Sequence, residues 1–117
     1  MGTRPLTLDS VPDSLLAEYG FRPGAATRTS YLCIDPQAIL VPVDSVIPPT
    51  GRKLNEDALR NILREIRDDI PIYPVQVIMD DPSVVRFSLH HGMHRWSVSK
   101  ALGFPEIPCH KFLLDEC

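Results

Sequence analysis

The residues of this chain best suited to chemistry are crowded into one stretch, His90-His91-Gly92-Met93-His94-Arg95-Trp96. Upstream of it, Val85, Phe87 and Leu89 alternate with Arg86 and Ser88, the period of a half-buried strand. Downstream, Val98, Ala101 and Leu102 recur at helical spacing, and Gly103 with Pro105 is a stop signal. Gly92 permits the sharp turn between the two that a residue with a β-carbon would resist. The stretch is therefore predicted to be a strand-to-helix corner, with its helix starting near His94.

Such a corner attracts anions. The first amides of a helix have no internal partner and carry the positive end of its macrodipole. Arg95 adds a planar donor fork that matches phosphate or carboxylate, and His94 adds a donor that is neutral or charged near neutral pH. Gly92, Met93, His94 and Arg95 thus form a candidate phosphate cradle, with Arg52 and Lys53 as a second clamp. The alternative is that Arg95 pairs with a nearby acid and the histidines lie on the surface.

Phosphoryl transfer would further require an acid to orient the acceptor hydroxyl, and a metal. Glu56 and Asp57 are the candidates, set against a plainer role as charges that satisfy the dipole of their own helix. A zinc site built from His91, His94 and His110, with Cys109 beside the last, is a competing arrangement. Neighbouring strand residues point to opposite faces, so His90 and His91 could both serve it only if the chain has already turned. No metal site is assigned on this basis. Trp96 reads as a core or rim anchor whose indole N–H needs a partner.

The elements that must hold this corner can be read in order. Residues 1–37 form an N-terminal extension. In it Ser10-Val11-Pro12-Asp13 has capping-box spacing, and Leu15, Leu16 and Tyr19 give a short helix of about two turns its apolar side. Tyr31 to Ile34 reads as a short strand ended by the turn signal Asp35-Pro36. Residues 38–117 then run strand, helix, strand, strand, helix, strand. Ile39 to Val46 is apolar and β-branched. Asn55 is a good N-cap for a helix whose apolar face is Leu59, Ile62, Leu63 and Ile66. Val75 to Met79 and Val84 to Leu89 flank Asp80-Asp81-Pro82-Ser83 in the layout of a hairpin, and Ile107 to Leu113 closes the sheet. The fold class predicted is α+β, a small mixed β-sheet with packed helices.

Composition narrows the function classes. The 117 residues suit one small domain with a modest core, and 44% hydrophobic with 23% charged residues is ordinary for a globular protein. The formal net charge of −3 argues against nucleic acid as the partner of this chain alone, because phosphate neutralisation needs clustered Lys and Arg. Arg60, Arg64 and Arg67 are interleaved with Glu65, Asp68 and Asp69, the pattern of a solvated helix face. No apolar run approaches the roughly 20 residues of a membrane helix, no secretory layout opens the chain, and a cytoplasmic home is expected. Cys33, Cys109 and Cys117 have neither the even number nor the spacing of a disulfide framework or zinc ribbon.

Gly92-Met93-His94-Arg95-Trp96, followed by Ala101-Leu102-Gly103 and Glu106-Ile107-Pro108, resembles the ParB/sulfiredoxin superfamily, whose members open a helix with a Gly-x-His/Arg-Arg motif. Val41 to Val46, Leu54 to Ile66 and Pro71 to Val77 are similar to its first strand, first helix and next strand, so the resemblance covers about Ile39 to Phe112. It implies nucleotide or other phosphate binding by the Gly92 to Arg95 box, with ATP or CTP and Mg2+ as the candidate ligands. In sulfiredoxin the second residue of the box is a nucleophilic cysteine, and here it is Met93, a thioether that forms no thiolate. In ParB proteins a second phosphate motif and a DNA-reading helix-turn-helix follow, and this sequence stops at Cys117 before either. A third branch comprises kinases of free amino acids. The resemblance therefore leaves open an NTP-dependent phosphotransferase, an NTP-responsive switch, or a degenerate domain kept as a protein-interaction or DNA-partition accessory module.

Overall fold

The computed structural model describes residues 7–79 and 86–113. A five-stranded sheet forms its centre, with β2 (Ile39–Pro42), β3 (Val46–Ile47), β5 (Val75–Met79), β6 (Phe87–His91) and β7 (Glu106–Leu113) in the order β2-β7-β5-β6-β3. The pairs β2/β7 and β5/β6 are antiparallel, whereas β5/β7 and β3/β6 are parallel. A small ribbon lies apart from it, β1 (Thr7–Leu8) against β4 (Leu54–Asn55). Among the described residues three α-helices complete the fold: α1 (Asp13–Glu18), α2 (Glu56–Arg67) and α3 (Met93–Leu102).

The run predicted as one strand from Ile39 to Val46 is two strands at opposite edges of the sheet, joined by a 3-10 turn over Val43–Ser45. Four residue steps from Pro42 to Val46 reach at most about 14 Å. Five strands laid flat would separate the edges by roughly 19 Å. The sheet must therefore curl, and its concave side becomes the core. Val41, Val75, Val77, Phe87, Leu89, Ile107 and Cys109 line that side, facing Leu59, Leu63 and Ile66 of α2 and Val98 and Leu102 of α3.

Each helix forms for a local reason. Asn55 caps α2, its side chain accepting from the Ala58 N–H at 3.0 Å, with Glu56 and Asp57 in the first turn and Arg64 and Arg67 in the last. All four of its predicted apolar positions are buried. Gly103 ends α3 in the left-handed region at φ 88°, donating to the Ser99 and Lys100 carbonyls. A β-carbon there would meet the Gly24 Cα at 2.7 Å, so the loop from the extension lies directly on the helix end. No described helix is long and apolar enough to cross a membrane.

Two expectations for the extension are corrected. The N-cap of α1 is Pro12 and no side chain caps it, so the capping box does not form, although Leu15 and Leu16 are buried as predicted. Tyr31 to Ile34 is not a strand. Its backbone joins the rest through one bond, from the Ile72 N–H to the Leu32 carbonyl, while the Tyr31 ring is buried in the core. A β-like composition there reflects burial of one aromatic anchor rather than sheet pairing. The Asp80 to Ser83 turn, with Val84 and Val85, lies outside the described residues, but the strands it joins do pair.

Because α2 is held more by its buried face than by its cap, Leu63→Ala should lower unfolding free energy by about 2–5 kcal/mol. Asn55→Ala should lower it by only about 1 kcal/mol. Denaturant melts of the two variants check the ratio.

Candidate functional site

The strand-to-helix corner is present. Gly92 is the N-cap of α3 with φ 107°, and the helix opens at Met93, one residue before the predicted start. A β-carbon at Gly92 would lie 2.5 Å from Val75 Cγ1 and 2.8 Å from Val75 Cβ. Glycine is thus required twice, by the left-handed backbone and by the contact with β5. No side chain caps the helix and no acid occupies its first turn. The Trp96 N–H is the first to find a helical partner, the Gly92 carbonyl at 2.9 Å. The amides of Met93, His94 and Arg95 have no acceptor among the described residues.

Three successive side chains tie this corner to three different elements. His94 Nε2 accepts the backbone N–H of Asn55 at 2.8 Å. The proton of its neutral ring must then sit on Nδ1. Desolvation by burial lowers the His94 pKa, and the Arg95 charge lowers it further. Arg95 donates from one guanidinium nitrogen to the Tyr73 carbonyl (3.1 Å) and the Pro74 carbonyl (2.8 Å). The acidic ion pair expected as the alternative for Arg95 does not form among the described residues; this guanidinium nitrogen is anchored to backbone instead. Trp96 donates its indole N–H to the Val43 carbonyl at 3.2 Å, the partner its sequence context demanded.

The bond from Asn55 to His94 also brings the start of α2 against the start of α3. Two positive helix ends meet there, yet only α2 carries acids in its first turn. Glu56 is engaged by Arg60 (3.1 Å), which is itself held by Glu18 (2.7 Å). Asp57 is exposed and has no partner among the described residues. Lys53 pairs with Asp9 next to the β1/β4 ribbon, an exposed pair of small energetic weight, and Arg52 is exposed without a described partner. The corner therefore gathers Gly92, Met93, His94 and Arg95 against Asn55, with Asp57 two residues further along α2, while Lys53 is paired with Asp9.

His91 and His110 are brought together beside Arg95, without His94. Pairing of Gln76 with His91 and of Val77 with Leu89 leaves His90 as the extra residue of a β-bulge. The bulge turns His91 onto the face of Gln76, whose partner on β7 is His110. Sequence spacing carried no signal for this bulge. No three His, Cys, Asp or Glu groups among the described residues are placed to hold a metal ion. Cys109 is fully buried, and burial pushes its thiol up to about 12, so it is no nucleophile.

Comparisons with known proteins agree with this architecture. No family model matches the chain. Among curated proteins it is 29% identical over 83 residues to an ATP-dependent L-serine kinase of Desulfurococcus mucosus, covering 71% of this chain and 31% of that one. Among solved structures it is similar to sulfiredoxin from Arabidopsis thaliana, with TM-score 0.57, 22% identity, and 67% and 86% of the two chains covered. It is also similar to the chromosome-partitioning protein ParB from Caulobacter crescentus complexed with CTP-gamma-S, with TM-score 0.54, 18% identity, and 68% and 46% covered. A conserved hypothetical protein from Pyrococcus furiosus gives TM-score 0.55 at 19% identity, with 73% and 36% covered. The fold is thus like that of sulfiredoxin and ParB. The chain spans about a third of the kinase and about half of the ParB chain.

The His94 bond sets a pH dependence with a definite sign. A folded-state pKa below the unfolded value near 6.5 means the unfolded chain binds more protons. The stability from this group is fully present above about pH 6.5 and is lost as pH falls through the lowered folded value. His94→Gln keeps an acceptor and removes the titration. The wild type should lose more stability than this variant between pH 7.5 and pH 5 in urea melts, and equal losses would refute the linkage.

Proposed function

We propose that the corner opening α3 seats a phosphate group of a nucleoside triphosphate, and that this domain serves phosphoryl transfer from that nucleotide to a small hydroxylated acceptor. The observation that carries the reading is the set of three amides, Met93, His94 and Arg95, with no acceptor among the described residues, at a helix start with no acid in its first turn. A phosphate would accept from these amides and complement the positive end of the helix. The second helix end, held against the first by the Asn55 to His94 bond, adds to the same field.

Within this reading the residues take distinct roles. Gly92 gives the phosphate access to backbone. His94 sets the two helix starts in register through Nε2, leaving its Nδ1–H as a donor. Arg95 keeps the N–H groups not spent on Tyr73 and Pro74 for anionic oxygen. Mg2+ bound with the nucleotide would neutralise charge on the transferring group. Asp57, without a partner among the described residues, is the carboxylate suited to hold the ion, and Glu56 is less suited because Arg60 holds it. Support comes from the ATP-dependent L-serine kinase to which the chain is similar and from the nucleotide analogue bound by the ParB neighbour. ATP and CTP are the ligands to test first.

Redox repair of the sulfiredoxin kind is not proposed, despite the shared fold. Met93 stands where the resemblance places the nucleophile, and its thioether is partly buried against the core. The chain should show no reduction of a hyperoxidised peroxiredoxin, and measurable sulfinic-acid turnover by the wild type would overturn that statement.

Nucleotide binding is checked by thermal shift, calorimetry and amide NMR with ATP, CTP, GTP and pyrophosphate, with and without Mg2+. A nucleotide at 100 times its dissociation constant should stabilise the fold by about 2.7 kcal/mol. The Met93, His94 and Arg95 amides should shift first. Arg95→Ala should weaken binding by about 1.5–3 kcal/mol, the size of a hydrogen bond to a charged group. Absence of any nucleotide-dependent stabilisation would leave the interaction-module reading in its place.

A further inference from the structure

Beside the corner, on the outer face of the sheet, lies a polar trough of about 280 Å3 lined by Asp35, Tyr73, Gln76, His91, Arg95 and His110. Its floor is the cross-strand row His91, Gln76 and His110, assembled by the bulge in β6 and the parallel pairing of β5 with β7. One wall is the Arg95 guanidinium, fixed by the Tyr73 and Pro74 carbonyls and by its place in the first turn of α3. The other is Asp35, whose Oδ1 accepts from the Gln37 N–H at 2.9 Å. Its Oδ2 lies 2.9 Å from His110 Nε2, a buried nitrogen that this contact approaches without the alignment of a hydrogen bond.

The lining chooses a class of ligand. Arg95, Gln76 and two imidazoles offer donors, and one carboxylate stands at the opposite end. A phosphate dianion would meet Asp35 as a like charge. A carboxylate at the Arg95 end, with a hydroxyl or ammonium donor at the Asp35 end, satisfies both walls. The volume is below that of common drug-sized pockets, and admits a metabolite of a few carbons. We propose that this trough binds a small hydroxy- or amino-carboxylate. Resting on the phosphoryl-transfer reading, it is the acceptor subsite of the same centre, because Arg95 belongs to both the trough and the helix start that seats the phosphate.

The test is an NMR titration of the full chain with D-glycerate, reading the Gln76 side-chain amide and the ring resonances of His91 and His110. Glycerate should move these signals saturably. Inorganic phosphate should move instead the backbone amides of Met93, His94 and Arg95. His91→Ala and Gln76→Leu, whose spectra also report whether they fold, should each weaken glycerate about tenfold, one hydrogen bond's worth. Glycerate shifts confined to the helix start, no shifts at all, or phosphate filling the trough in preference to glycerate would each overturn the proposal. A parallel titration with Mg-ATP separates the two readings. If Mg-ATP fails to bind while glycerate still fills the trough, the nucleotide reading fails and the carboxylate site stands. If Mg-ATP itself moves the trough signals and excludes glycerate, the trough is part of the nucleotide site and the proposal is wrong.

Discussion

The approach of Gly92 to Val75 is the constraint on which the rest of the site depends. A backbone in the left-handed region, with no room for a β-carbon beside the β5 side chain, sets α3 down at one position on the sheet. From that position successive residues diverge by about 100° each around the helix. His94 consequently meets the start of α2, Arg95 the approach to β5, and Trp96 the 3-10 turn between the two edge strands. A shift of the corner by one residue would break all three bonds at once. The residues proposed to seat the ligand therefore also act as the bolts of the fold.

The chain treats its two adjoining helix starts in opposite ways. At α2 the orphan amides and the dipole are answered locally, by the Asn55 cap, Glu56 and Asp57. At α3 the first turn holds a histidine and an arginine, and a cation in that position costs about 0.3–1 kcal/mol. A sequence selected only for stability would place an acid or a capping hydroxyl there. Violations of a local rule of this kind mark sites kept for function. The neutrality of His94 belongs to the same balance. Burial and the neighbouring guanidinium both disfavour its charged form, which preserves the acceptor that the Asn55 amide needs.

What could be read in the sequence was whatever depended on local spacing. The amphipathic face of α2, the Asn55 cap, the Gly92 corner and the Gly103 stop are each encoded within a few residues, and each is present. The run from Ile39 to Val46 reads as one strand because an apolar β-branched stretch does not announce that a 3-10 turn at Val43 will send its two halves to opposite edges. Tyr31 to Ile34 reads as a strand for a related reason, since burial of one ring imitates strand composition. The trough was invisible. His91, Gln76 and His110 come together through a bulge and a parallel pairing, both set by contacts distant in sequence.

The anchoring of Arg95 bears on whether it can still serve a ligand. Its guanidinium has five N–H groups, and both hydrogens of one terminal nitrogen are committed to the Tyr73 and Pro74 carbonyls. Tyr31 donates to the same Tyr73 carbonyl at 2.7 Å, which fixes that acceptor in turn. Three N–H groups remain, on a side chain whose rotamer freedom has already been lost to folding. Ordering a free arginine on binding costs about 0.5–1.5 kcal/mol, and this one is largely spared that cost. The bonds to backbone therefore orient the fork for an anion and leave it donors to offer, whereas an acidic partner would have consumed both its hydrogen bonds and its charge.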